Sequence, residues 1–142
     1  MRALLDVNVL IAMLDADHVS HRAAWAWFRE HGRSGWASCP ITQNGCVRIL
    51  SHPGYPNTRS VSEVVERLRA ATADSAHEFW ADNYSLLDNE CVDITRVHGP
   101  KQLTDVYLLA LAVRNDGRLV TFDAGISLSA VRGAKARHLE RI

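Results

Sequence analysis

Three aspartates in this chain occupy positions from which their carboxylates can act together. Asp6 interrupts the apolar stretch LLDVNVLIAML, Asp105 lies near the start of LTDVYLLALAV, and Asp123 ends RLVTFD. Burying an unpaired carboxylate costs several kcal/mol, so the hydrophobic surroundings of Asp6 indicate that its charge has a purpose. Neighbouring carboxylates repel one another, and a hard divalent cation that prefers oxygen ligands removes that repulsion. If the fold brings the three acids together, they predict a site for Mg²⁺ or Mn²⁺.

Each aspartate also has a simpler structural explanation. Asp105 in a first helical turn can complement the helix dipole, and Asp123 can begin the turn DAG. The conjunction of all three acids is more informative than any one of them. Three polar neighbours are candidates to support a metal site. Asn8 is expected to hydrogen-bond a carboxylate or a water on the metal, and the hydroxyls of Thr104 and Thr121 are expected to act similarly.

The periodicity of the apolar residues indicates short strands that alternate with helices. Strands are predicted at residues 2–6, 35–39, 77–82 and 118–123, and helices at 8–15, 21–32, 40–50, 60–72 and 103–117, whereas 84–99 is either weak helix or loop. Thr104 is the expected N-cap of the last helix. This alternation implies an α/β fold with a mostly parallel sheet covered by helices on both faces. Ligands of such sheets bind outside the carboxyl ends of the strands, where Asp6 and Asp123 are expected.

Composition narrows the class of protein. The length of 142 residues favours one domain spanning residues 1–142. A net charge of zero argues against a broad cationic surface for nucleic acid, but a metal-dependent nuclease brings its own positive charge in the ion. The three cysteines form no C-x-x-C pair, so a disulfide framework or zinc ribbon is not expected. No membrane segment or secretory signal is recognisable, and we expect a cytoplasmic protein.

The sequence resembles PIN-domain proteins, in particular the VapC ribonuclease toxins of type II toxin–antitoxin pairs. The matching stretches are LLDVNVLIAML, CPITQNGCVRILS and GPKQLTDVYLLALAVRNDGRLVTFD, in this order and at this separation, and together they extend over essentially the whole chain. The combination of LTDVYLLALA and LVTFD is the most specific part. The resemblance implies an α/β/α sandwich around a short, mostly parallel sheet. It also implies Mg²⁺- or Mn²⁺-dependent endoribonuclease activity on structured RNA, such as tRNA or rRNA.

The resemblance also assigns roles to the acidic residues. Asp6 matches the first metal-binding aspartate of the family, Asp105 the second, and Asp123 the additional acid at the last strand, while Asn8 matches a polar residue near the first. In the implied reaction, the ion polarises a phosphoryl oxygen and lowers the pKa of a bound water. Asp6 and Asp105 hold the ion, and Asp123 positions the water or a second ion.

One departure from the family pattern concerns the number of metal ions. Many PIN domains carry a glutamate in the helix that here contains TQNGCVR. The alignment places Gly45 at that position, with Gln43 nearby, and neither side chain carries a charge. One metal ion rather than two is therefore one interpretation, and coordination by Gln43 through water is another. A third is that another acid supplies the missing carboxylate, with Glu30, Glu63 and Glu66 as candidates.

RNA binding requires cationic and aromatic side chains. Candidates for phosphate contacts are Arg48, Arg59, Arg96, Lys101 and Arg114, and candidates for base stacking are Trp25, Trp27, Trp36 and Trp80. A lone arginine is more often a solvated surface group. Trp27 is expected in the core because it shares a helical face with Ala24 and Phe28.

The resemblance implies two protein partners, a VapB-type antitoxin that blocks the site and a second copy of the chain in a homodimer. The exposed part of the Trp-rich helix at 22–31 is a candidate groove for a partner helix. Two other functions stay open at this level. One is a catalytically weak PIN-like module that binds RNA or protein without turnover. The other is a phosphohydrolase that uses Asp6 as a covalent nucleophile.

Overall fold

The computed structural model describes residues 1–142 and is built around a five-stranded sheet. The strands are β1 (Ala3–Leu5), β2 (Trp36–Ser38), β3 (His77–Phe79), β4 (Arg118–Thr121) and β5 (Leu139–Arg141). Their order is β3-β2-β1-β4-β5, and every neighbouring pair is parallel. The chain proceeds outward from β1 on one side and then returns to β4 on the other. The carboxyl ends of β1 and β4 therefore flank the topological switch point, where ligands of such sheets bind.

Five α-helices connect and cover the strands. They are α1 (Val7–Leu14), α2 (His21–His31), α3 (Pro40–Leu50), α4 (Val61–Thr72) and α5 (Leu103–Arg114). Local chemistry explains where several of them begin. Asp6 caps α1, Pro40 occupies the first turn of α3, where its missing N–H has no consequence, and the Ser60 hydroxyl accepts a hydrogen bond from the amide of Glu63 at 3.2 Å to cap α4. None of these helices is both long and apolar enough to span a membrane.

Two hydrophobic clusters lie on opposite faces of the sheet. On one face, Leu5 and Val120 pack with the buried sides of α1 to α4. On the other face, Leu4 and Leu119 pack with Leu108 and further residues of α5. The side chains of a strand alternate between the two faces, which explains the division of neighbours Leu4 and Leu5. The structure confirms the predicted α/β/α sandwich with a parallel central sheet.

The structure corrects several element boundaries. Strand β5 was not predicted, and β3 ends at Phe79 rather than at residue 82. Thr104 is not the N-cap of α5, because a 3₁₀ turn at Pro100–Gln102 leads directly into the helix and places Gln102 at the cap. The ambiguous segment 84–99 is mostly irregular and contains a single 3₁₀ turn at Ile94–Arg96.

Burial also corrects the assignment of tryptophans to base stacking. Trp27, Trp36 and Trp80 are only 6%, 2% and 3% exposed, so their faces are not available to RNA bases. The core position predicted for Trp27 is confirmed, and its indole N–H donates to Glu140 at 2.8 Å. Trp25 is the one tryptophan with substantial exposure.

Candidate active site

Asp6 connects the end of β1 to the start of α1. One carboxylate oxygen accepts a hydrogen bond from the amide of Val7 at 2.7 Å, and the other accepts one from the Thr121 hydroxyl at 2.8 Å. The residue is 6% exposed. Burial raises the pKa of Asp6 above its ordinary value, the two hydrogen bonds oppose that rise, and the nearby charge of Asp123 adds to it. The carboxylate is therefore fixed in orientation but not neutralised.

Thr121 joins two of the three acidic positions. Its buried hydroxyl donates to Asp6 and accepts from the backbone amide of Asp123 at 3.0 Å. Asp123 itself is exposed and accepts a hydrogen bond from the amide of Gly125 at 2.6 Å, which fixes the turn after β4. Thr121 thereby fixes the positions of Asp6 and Asp123 relative to each other at the carboxyl ends of the adjacent strands β1 and β4.

Asp105 reaches the same place from the other layer of the sandwich. It lies in the first turn of α5 and is half-buried. Burial, together with the neighbouring charges of Asp6 and Asp123, raises the pKa of Asp105 to about 6. The structure therefore brings together all three aspartates that the sequence singled out, although they are separated by up to 117 positions.

No cation of the protein neutralises this cluster, since no ion pair involves any of the three aspartates. The donor atoms are carboxylate oxygens, with a hydroxyl beside them, and these are the ligands that Mg²⁺ and Mn²⁺ prefer. The chemistry of the donor set thus fits a hard divalent ion. The side chains do not form a group of three ligands at metal-binding spacing.

Position 45 lies in the contact between α3 and α1. Gly45 is buried there, and a Cβ would lie 2.9 Å from Cγ2 of Val7. A larger side chain at this position would require Val7 to move. Gln43 lies on another part of α3, and its side-chain amide donates to the Ser38 hydroxyl at 2.9 Å. That hydroxyl also hydrogen-bonds Nε2 of His77 at 2.8 Å, so Gln43 belongs to a polar network between β2 and β3.

The remaining polar candidates make no direct bond to the aspartates. Asn8 lies in the first turn of α1, and Thr104 lies in the first turn of α5. Both are exposed, and neither side chain makes a hydrogen bond within the protein. Of the three residues expected to support the site, only Thr121 contacts an acidic side chain.

The five candidate cations differ in their surroundings. Arg114 is engaged within the protein, because one terminal nitrogen lies 3.2 Å from Sγ of Cys91 and its guanidinium packs 5.6 Å over the Tyr84 ring. Arg48, Arg59 and Lys101 make no side-chain hydrogen bond or ion pair, and none of them lines the cleft that contains Asp105. Arg96 lies in the same cleft as Asp105.

Sequence reasoning missed one further acid near this edge of the sheet. Asp82 follows β3, and burial together with the charge of Asp82 raises the pKa of Tyr107 to about 12. The charge of Asp82 also contributes to the raised pKa of the Cys39 thiol. Asp82 ends the predicted strand 77–82 as Asp6 and Asp123 end theirs, and this position at a carboxyl end is the sequence signal that could have found it.

Comparison with known proteins agrees with this geometry. A model of the PIN-domain family matches residues 3–132. Ribonuclease VapC44 of Mycobacterium tuberculosis is 56% identical over 139 residues, which cover 98% of each chain. Ribonuclease VapC39 of the same organism is 42% identical over 134 residues, 94% of this chain and 96% of the relative.

A solved structure shows the same fold at much lower sequence identity. The crystal structure of VapBC2 from Rickettsia felis bound to a DNA fragment from their promoter has a TM-score of 0.57 and 13% identity, over 87% of this chain and 89% of the other. A parallel α/β/α sandwich with acids at its switch point is the architecture of a PIN domain. The chain belongs to the PIN-domain family and, within it, to the VapC family.

Proposed function

We propose that the protein is a metal-dependent endoribonuclease and the toxin of a type II toxin–antitoxin pair, and that residues 1–142 act as one PIN domain. The observation that carries this proposal is the meeting of Asp6, Asp105 and Asp123 at the switch point without any cation of the protein. Relatives that are 56% and 42% identical are named ribonucleases. We propose that the protein acts in the cytoplasm and that its substrate is structured RNA such as tRNA or rRNA.

Asp6 and Asp105 hold Mg²⁺ or Mn²⁺ in this proposal. When bound, the ion supplies Lewis-acid activation of the phosphodiester and of the attacking water. Asp123 orients that water, and Thr121 keeps the Asp6 carboxylate in one orientation. Asn8 and Thr104, exposed at the starts of two helices, hydrogen-bond groups of the bound substrate or its water. We propose one bound ion rather than two, because neither Gly45 nor Gln43 offers a carboxylate for a second ion.

The experiment that tests this function compares total RNA incubated with wild-type protein and with the Asp6→Asn variant, with and without Mg²⁺. New 5′ ends are then mapped. We expect cleavage only with the wild type and the ion. Asp116→Asn is a matched control, because Asp116 is exposed at the opposite end of β4 and has a φ of 51° that asparagine tolerates. Undiminished cleavage by Asp6→Asn would refute the assignment.

A VapB-type antitoxin is the proposed partner, supported by the VapBC2 assembly that shares this fold. The place proposed for it is an apolar groove of about 260 Å³ between α1, α2 and α4. Its lining residues are Leu10, Met13, Leu14, Trp25, Phe28, Trp36, Leu68, Ala70, Ala71 and Asp74. Such a lining suits the apolar face of a partner helix. This groove includes the exposed part of the Trp-rich helix.

Co-expression with a tagged candidate antitoxin tests the groove. Ala71→Glu introduces a charge among its apolar walls, and we expect it to abolish copurification. Ala23→Glu adds the same charge on the exposed face of α2 and serves as the control. Equal copurification of both variants would exclude the groove. A homodimer is also proposed, and a monomer mass in light scattering would contradict it.

One specific observation favours the weaker alternative of a binding module without turnover. The α3 helix contributes no acid to the cluster, since position 45 packs on Val7 and Gln43 bonds Ser38. Titration with Mg²⁺ and Mn²⁺ in the presence of RNA separates the two functions. A module would bind the RNA at every metal concentration and leave it intact.

A further inference from the structure

A small cleft has Asp105 in its wall. Its interior is only about 20 Å³, room for roughly one water, and its rim is formed where the 3₁₀ turns before α5 meet the loop that follows β4. The residues that line it are Arg96, Gln102, Asp105, Val106, Gly125, Ile126, Ser127 and Ala130. The cleft thus shares one wall with the acidic cluster and holds an arginine that the cluster itself lacks.

Arg96 is held in place but only partly engaged. Its Nε lies 3.3 Å from a carboxylate oxygen of Asp93. That carboxylate is fixed in turn by the amide of Thr95 at 3.2 Å and by its hydroxyl at 2.6 Å. The two terminal nitrogens of Arg96 make no hydrogen bond or ion pair within the protein. A guanidinium of this kind is pre-organised and retains donors for an anion.

Two further polar groups line the cleft with donors to spare. Oε1 of Gln102 accepts from the amide of His98 at 2.7 Å, which fixes the side chain and leaves its NH₂ group without a partner. Ser127 caps the 3₁₀ turn at Leu128–Ala130, with its hydroxyl 2.9 Å from that of Ser129. Guanidinium, amide and hydroxyl donors are the groups that contact phosphate oxygens in protein–nucleic acid complexes.

The charge of the acidic cluster explains why a nearby arginine would help to bind RNA. Three carboxylates repel the phosphates that flank a scissile bond, and a bound divalent ion offsets only part of their charge. A cation beside the cluster, but not paired with it, attracts the neighbouring phosphate without displacing the ion. Arg96 meets this condition, because it lines the same cleft as Asp105 and forms no ion pair with any of the three aspartates.

We propose that the rim of this cleft binds a phosphate of the RNA strand adjacent to the cleaved bond, with Arg96 as the main anchor and Gln102 and Ser127 as additional donors. The inference rests on the proposed ribonuclease function. Arg96 acts as a positioning residue, which binds the strand and does not take part in the bond cleavage. The loop after β4 and the turns before α5 then form a subsite that sets the register of the strand on the aspartates.

The first test measures binding in a protein that does not cleave. A structured RNA oligonucleotide, such as a tRNA stem-loop, is titrated with Asp6→Asn protein by fluorescence anisotropy, over a range of salt concentrations. Adding Arg96→Gln should weaken binding about tenfold and lower the slope of log K against log salt by about 0.7–0.9, the loss of one phosphate contact. Adding Lys101→Gln, the control, removes an equal charge from an exposed neighbouring turn outside the cleft and should leave the slope unchanged.

The second test uses the active enzyme. Arg96→Gln should raise KM about tenfold with kcat within about twofold, and Arg96→Lys should restore part of the affinity. Because Arg96 is exposed, these variants should retain the unfolding temperature of the wild type. Equal salt slopes for Arg96→Gln and Lys101→Gln would overturn the subsite. If the wild type still cleaved RNA in that case, the nuclease proposal would stand. A slope change without any wild-type cleavage would support the subsite and overturn the nuclease proposal.

Discussion

Replacing Asp105 by asparagine should stabilise the metal-free protein at neutral pH. Burial and two neighbouring carboxylates raise the pKa of Asp105 from 3.8 to about 6, which corresponds to about 3 kcal/mol at face value. Because the residue is only half-buried, solvent screening reduces this figure to about 1.5 kcal/mol. Loss of a charge at the start of α5 costs roughly 0.5 kcal/mol. The expected net gain is about 1 kcal/mol.

The sign of this effect depends on pH. Between pH 3.8 and about 6 the folded protein retains a proton on Asp105 that the unfolded chain releases, so the free energy of unfolding falls as pH rises through this window. Above it the full repulsion is present, and below it the carboxyl is neutral in both states. The advantage of the Asp105→Asn variant should therefore be largest at pH 7.5 and close to zero at pH 3.5.

Urea unfolding in EDTA at the two pH values measures the effect. At pH 7.5 the midpoint should rise without a change in the slope m, and at pH 3.5 the two proteins should coincide. Mg²⁺ should then stabilise the wild type more than the variant, because it binds the folded state through the missing charge. A variant less stable than the wild type at pH 7.5 in EDTA would refute the reasoning, since it would mean that the Asp105 charge is already compensated within the protein.

Two more substitutions probe the surroundings of the site. Thr121→Val removes the hydroxyl that donates to Asp6. We expect the unfolding free energy to fall by about 1–3 kcal/mol and the cleavage rate to fall roughly 10–100-fold. Thr121→Ser should remain close to the wild type in both measurements. Gly45→Ala places a Cβ 2.9 Å from Val7, and steric strain should outweigh the better helix propensity of alanine by about 1 kcal/mol. Adding Val7→Ala should relieve that strain, and a double-mutant cycle in urea without such coupling would contradict the contact.

Part of the sheet follows from the sequence because β1, β2 and β4 are mostly apolar and buried. β1 and β4 read as buried strands from their composition, and the acids after them were predicted from the edge at which parallel strands end. β5 gave no such signal. It is an edge strand of three residues whose Glu140 accepts from the Trp27 indole and pairs with Arg118 at 2.8 Å. A polar residue satisfied by tertiary partners breaks the hydrophobic pattern on which prediction depends.

The site was predictable in its acidic residues and not in their surroundings. The positions of Asp6, Asp105 and Asp123 depend on local starts and ends of elements, which sequence signals mark well. The role of position 45 depends instead on how closely α3 approaches α1, and the selection of Arg96 among five cations depends on which loop borders Asp105. Both are consequences of packing between elements distant in the chain, for which a single sequence offers no local pattern.

The origin of the acids in two different layers has a consequence for folding. Asp6 and Asp123 belong to the sheet, where Thr121 and backbone amides fix them whether or not an ion is bound. Asp105 belongs to α5, which packs on the opposite face and contributes the one carboxylate without a stabilising donor. Without a cation, repulsion at this point opposes the packing of α5 on the sheet. Bound to all three acids, an ion would reverse that force and join the helix to the sheet, so that metal affinity and the stability of this layer rise together.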